Sequence, residues 1–79
     1  MDKTELILSC RMPYNSKGVI RKLEGDILLV SRLRELGFKE GAQILKVSHD
    51  AHRCIILNLK GNKIYLNEKA AHSILVELL

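Results

Sequence analysis

Arg32-Leu33-Arg34-Glu35-Leu36-Gly37-Phe38-Lys39-Glu40-Gly41 carries the end of a helix, its stop and a turn into a strand within ten residues. Glycine reaches the left-handed region without the Cβ clash that other residues meet, so Gly37 is placed just past the helix with Leu36 as the cap. Phe38 then falls where it covers Leu33, the apolar contact that accompanies a Schellman ending. Gly41 is a second point of punctuation, closing the Lys39-Glu40 turn so that Ala42 onward runs out as a strand.

Upstream, Asp26 follows Gly25 and supplies a carboxylate for the unpaired amides of a first helical turn, so the helix is expected from about Ile27 to Leu36. Leu29, Leu33 and Leu36 recur at i, i+4 and i+7 with Val30 beside them, while Ser31, Arg32, Arg34 and Glu35 fall elsewhere. Ile27 and Leu28 are apolar positions to which this pattern assigns no direction. Before the helix, the turn formers Met12 to Gly18, with the only proline, deliver the chain into a strand over Val19 to Leu23. Leu6-Ile7-Leu8 reads either as a short strand or as an apolar tether.

Downstream, Gln43-Ile44-Leu45-Lys46-Val47 is a strand whose apolar positions 44, 45 and 47 break strict alternation, which implies a bulge or burial on both faces. The loop Ser48 to His52 follows. Arg53 to Lys60 and Lys63 to Asn67 are joined by Gly61-Asn62, a dipeptide suited to the positive φ angles of a two-residue hairpin. Asn67 caps a short helical turn, Glu68 to Ser73, and Ile74 to Leu78 closes the chain as a strand. The count is about five short strands with one helix after the first, which predicts a mainly β fold closed into a small barrel. The expected core is Val19, Leu29, Leu33, Leu36, Phe38, Ile44, Val47, Ile56, Ile64, Leu66, Ile74 and Val76.

The 79 residues supply one domain, since a second core could not be closed from what remains. The apolar run Ile27 to Val30 is far short of the roughly 20 residues a spanning helix needs, and no signal-like stretch follows the mixed-charge start, so a cytoplasmic protein without membrane insertion is expected. Net charge is +4, from eight Lys/Arg against six Asp/Glu in residues 1–40 and five against three in 41–79. An excess spread so evenly is a solvated surface rather than a phosphate-tracking stripe. With Tyr14, Phe38 and Tyr65 as the only aromatics, little remains on which to stack bases, and both features argue against a nucleic-acid partner.

Arg-Leu-x-Glu-Leu-Gly-Phe-x-x-Gly, followed by a strand with Ile44 and Val47, a hairpin and a terminal Ile74-Leu75-Val76-Glu77, resembles the FeoA family of small ferrous-iron-transport accessory proteins. The resemblance runs from about Lys17 to Glu77. It implies a five-stranded SH3-like barrel in a single domain, with Gly37 and Gly41 as its structural turns. It also implies a non-enzymatic accessory protein that docks on the cytoplasmic part of a ferrous iron permease (FeoB-like) and modulates transport. The runner-up is a metal-responsive regulatory or nucleic-acid-associated small-barrel module, since similar domains end metal-dependent repressors. Such a module would be attached to a helix-turn-helix, for which 79 residues leave no room.

No nucleophile elbow, phosphate loop or dinucleotide fingerprint is present, and an enzyme is not expected. Cys10 and Cys54 stand alone rather than in a Cys-x-x-Cys pair, which excludes a zinc ribbon and points to reduced thiols. His49, Asp50, His52 and Cys54 place two imidazoles, a carboxylate and a thiol within six residues, a donor set for a divalent transition metal such as iron. The spacing matches no structural metal motif, and paired loop histidines are commonly plain solvated side chains, so at most weak metal binding and no required cofactor is expected. Arg32, Arg34 and Lys39, beside the ten-residue block, are the candidate partner-binding cations.

Overall fold

In a computed structural model, which describes residues 5–49 and 55–79 and His49 by its backbone alone, nine elements follow one another. They are β1 (Ile7–Leu8), a 3-10 turn (Ser9–Arg11), β2 (Lys17–Leu23), α1 (Ile27–Leu36), β3 (Gln43–His49), β4 (Ile55–Leu59), β5 (Asn62–Leu66), α2 (Glu68–Ala71) and β6 (Ile74–Leu78).

Helix α1 begins where Asp26 Oδ2 accepts a hydrogen bond from the Leu29 amide at 3.4 Å. It ends in the predicted motif: Gly37 has φ 105° and ψ 0°, its N–H donates to the Arg34 carbonyl at 3.0 Å, and the Phe38 N–H donates to the Leu33 carbonyl at 2.9 Å. Those two bonds satisfy carbonyls that a helix end leaves open, and they turn Phe38 inward. Phe38 and Leu33 are both buried, each burial contributing roughly 1.5–3 kcal/mol relative to exposure. Gly41, at φ 92°, donates its N–H to the Ile20 carbonyl at 2.7 Å, so the turn is laid directly onto β2.

The strands form one antiparallel sheet in the order β1-β6-β2-β3-β4-β5. Register shifts between Ile20 and Lys22 and between Lys46 and Ser48 mark two irregularities, and such bulges increase local twist and curl a sheet around its core. The second is the interruption of alternation expected near Val47. Two expectations need correction. Among the described residues there are six strands, because Ile7 and Leu8 pair with Val76 and Leu75, and the sheet stays open, since no ladder joins β1 to β5. Instead, α2 packs on β5 and on the 3-10 turn, and Ser9 Oγ donates to the Ala71 carbonyl at 2.7 Å. A short helix and a turn therefore stop the gap that a ladder would have closed.

The core comprises Met12, Ile20, Leu33, Phe38, Ile44, Ile55, Leu57, Leu59, Leu66, Ala70, Ala71, Ile74 and Val76. Leu29 and Ile64 pack against it half-buried, and Val19 is buried but lies outside this cluster. Leu36, expected inside, is 53% exposed: the chain reverses at Gly37, and Phe38 enters the core at this end in its place. In β4 the alternation runs through Ile55, Leu57 and Leu59, leaving Ile56 half-buried with Asn58, one position out of phase with the expectation. The hairpin is also one residue earlier than predicted. Leu59 pairs with Asn62, and Lys60 (φ 53°) and Gly61 (φ 87°) make the turn, with Asn58 Oδ1 accepting from the Gly61 amide at 2.9 Å. Two successive positive φ angles are those of the type I′ turn, whose twist matches its strands. No helix among the described residues is long and apolar enough to cross a membrane.

Candidate functional site

An open groove of about 720 Å³ lies along β3 on the side of the 39–45 segment, bounded across the sheet by Lys17, Asn58 and Lys60. Strand register places its floor: Leu45 stands opposite Lys17 on β2 and opposite Asn58 on β4, so the three form a row across three strands. Leu45 is half-buried, Gln43 two residues before it is exposed, and Ala42 is half-buried. The Lys39-Glu40-Gly41 turn forms the near wall because Gly37 and Gly41 bend the chain back from α1 onto β2.

Electrostatically the groove is one-sided. Its single carboxylate among the described residues, Glu40, is gripped by Arg34 through Nη1–Oε1 at 2.6 Å and Nη2–Oε2 at 2.9 Å. That fork holds the Glu40 carboxyl below its ordinary value and raises the already high value of Arg34. Lys17, Lys39 and Lys60 take part in no ion pair among the described residues. The site is thus a cationic rim around an apolar floor with amide side chains at Gln43 and Asn58.

Beneath it sits a group that sequence reasoning missed. Lys46 is fully buried, and its Nζ donates to the carbonyls of Cys10 and Met12 at 3.1 Å each and of Ser9 at 3.4 Å. The Tyr14 ring centroid lies 5.7 Å from the ammonium, and burial pushes the Lys46 pKa down, with Cys10 acting in the opposite direction. The Lys46 backbone joins in, accepting from the Asn15 amide at 2.7 Å and donating to the Ser16 carbonyl at 3.0 Å. One residue therefore pins the whole 9–16 arm. The signal was its place two residues after Ile44, on the same face of β3.

Of the predicted partner cations, Arg34 is occupied with Glu40, Lys39 lies at the groove, and Arg32 is exposed on α1. Two positions apart on a helix, Arg32 and Arg34 project about 200° from one another, so the three do not share a face. Ile27 and Leu28 are 78% and 72% exposed. Of the predicted metal donors, Asp50, His52 and Cys54 and the side chain of His49 lie outside the described residues. Among the described residues no cluster of three metal-ligating side chains occurs.

The groove is apolar-floored and lysine-rimmed and lies on a small curled antiparallel sheet. The FeoA domain model matches residues 10–78, and the chain belongs to the FeoA domain family. Among solved structures, the crystal structure of an iron uptake regulatory protein (FeoA) is similar at a TM-score of 0.86 and 20% identity, over 95% of this chain and all of that one. An FeoA-like protein from Clostridium acetobutylicum matches at 0.86 and 23% identity, over 98% of this chain and 91% of its own. A manganese-dependent transcriptional repressor matches at 0.87 and 12% identity, over 99% of this chain but only 44% of the repressor. No curated protein matches in sequence.

Proposed function

We propose that this protein is a non-enzymatic accessory factor of ferrous iron uptake that docks on the cytoplasmic part of a ferrous iron permease and modulates transport. The observation that carries the reading is the FeoA domain match over residues 10–78, which ties nearly the whole chain to ferrous iron transport. The groove supports a docking role because its walls present uncompensated charge and apolar surface without catalytic groups. Iron is the cargo of the process in this reading, the protein requires no cofactor, and His49, Asp50, His52 and Cys54 form at most a weak metal site. The cytoplasm is where such docking takes place. A regulatory reading is favoured by one observation, the likeness to the manganese-dependent repressor, which at 12% identity is a likeness of fold.

Affinity capture separates the two. Tagged protein is incubated with detergent-solubilised membranes containing the ferrous iron permease and, separately, with sheared genomic DNA. The permease is expected to co-purify and DNA to wash off in moderate salt. DNA retained with the permease left behind would establish the regulatory reading instead.

A further inference from the structure

The groove has a rim, a floor and a wall of different chemistry, and together they define an occupant. Three lysines from three separate elements, β2, the turn after α1 and the β4–β5 hairpin, converge on it with no counter-charge of their own. The carboxylate within reach, Glu40, is turned to Arg34 by two hydrogen bonds, so it does not neutralise them. The floor is Ala42 and Leu45. Asn58 spends its oxygen on the Gly61 amide, which leaves its NH₂ to donate, and the Gln43 amide makes no hydrogen bond among the described residues. One further feature concerns Lys60, held at φ 53° in a turn position where asparagine or glycine is the less costly choice.

We infer that this groove binds an extended acidic peptide segment carrying at least one apolar side chain, with Lys17, Lys39 and Lys60 facing its carboxylates, Leu45 its apolar side chain, and Gln43 and Asn58 its backbone. The inference rests on the docking reading and adds to it the face and the partner chemistry. Charge complementarity of this kind sets specificity and speeds association, while the apolar contact slows release. A nucleic-acid strand fits the site less well. Its affinity would need a run of phosphate contacts and base stacking, whereas the groove offers three cations, no aromatic side chain and an apolar floor.

Fluorescence anisotropy with labelled nine-residue probes tests the inference. The probes are a glutamate–leucine alternating peptide, its lysine–leucine and glutamate–serine counterparts, and a single-stranded oligonucleotide of matched charge. The glutamate–leucine peptide is expected to bind saturably, with affinity falling as salt rises. Both counterparts and the oligonucleotide are expected to bind about tenfold or more weakly. Lys17→Glu with Lys39→Glu should weaken the glutamate–leucine peptide about tenfold or more, with the melting curve and circular dichroism checked alongside. Lys60→Asn guards against loss of folding in that variant, because it removes one groove cation at a position asparagine accepts; its affinity should fall by about two- to fivefold. No saturable binding, unchanged affinity in the folded variants, or tighter binding of the oligonucleotide would overturn the inference. So would a dimer of the free protein dispersed by the same substitutions, which would make a second copy the occupant. Any of these results leaves capture of the permease to be judged on its own, so failure of the groove and failure of docking are told apart.

Discussion

Lys46 takes a charge into the interior and returns it to carbonyl oxygens of the 9–12 arm. Desolvating an ammonium costs several kcal/mol, and charge-assisted hydrogen bonds at roughly 1.5–3 kcal/mol each offset most of that, so its main product is a single position for the arm. Lys46→Ala strands those carbonyls and leaves a cavity, and should destabilise by about 2–4 kcal/mol in chemical denaturation. Lys46→Met keeps the volume and removes the buried charge, so it should cost less than the alanine variant, while amide exchange speeds up at Met12 and Asn15 in both. The pKa adds a signed check. Because burial lowers the folded value, the unfolded chain binds the Lys46 proton more tightly, and its cost to folding is relieved as pH rises toward the ordinary 10.5. The wild type should therefore gain stability relative to Lys46→Met as pH climbs through that alkaline window. Gly37 is the opposite kind of residue, legible from sequence because its function is purely one of backbone conformation. At φ 105°, a Cβ on Gly37 would also meet Leu59 Cδ2 at 3.0 Å, so Gly37→Val should cost about 1–3 kcal/mol and lower Tm by roughly 5–15 °C. An unchanged melting curve would contradict the assigned ending.

At the level of elements, what could be read depended on whether the signal was local. Helix α1 has its cap, its stripe and its stop in one contiguous stretch, and its observed bounds are the expected ones. Strand β4 offers Ile55-Ile56-Leu57 without a break, so period-2 alternation is invisible in the composition and its phase was set only by pairing with β3 and β5. The hairpin turn lies one residue earlier than its residue types indicate, for a related reason. Gly61-Asn62 has the residue types of a tight turn, but the Leu59–Asn62 pairing fixes the loop at Lys60-Gly61. That placement makes a prediction about β4 and β5. Lys60→Asn replaces a lysine in the left-handed region with a residue that tolerates it, and should stabilise the fold by about 0.5–1 kcal/mol, raising Tm by a few degrees. Strand β1 reads equally as strand or tether in the sequence because two residues carry no periodicity. Its pairing with β6 is a long-range fact that only the folded chain supplies.

For the molecule as a whole, closure is achieved by α2 and the 3-10 turn rather than by a β1–β5 ladder, and the rim of free lysines lies elsewhere, along β3. The sequence points to Lys39 through its nearness to the ten-residue block. It does not point to Lys17 and Lys60, which are 43 positions apart and meet only through the β2–β3–β4 pairing. In the proposed function the protein acts on iron uptake by docking through this surface and not by holding iron in the His49–Cys54 loop. Ferrous iron uptake is the direct test, measured in cells lacking the endogenous copy and supplied with either of two folded variants. His49→Ala with His52→Ala should support uptake at close to the wild-type rate, while Lys17→Glu with Lys39→Glu should lose most of that support and co-purify less permease. Uptake lost in the histidine variant with permease binding preserved, and retained in the lysine variant, would overturn docking through the groove and make the loop a metal site.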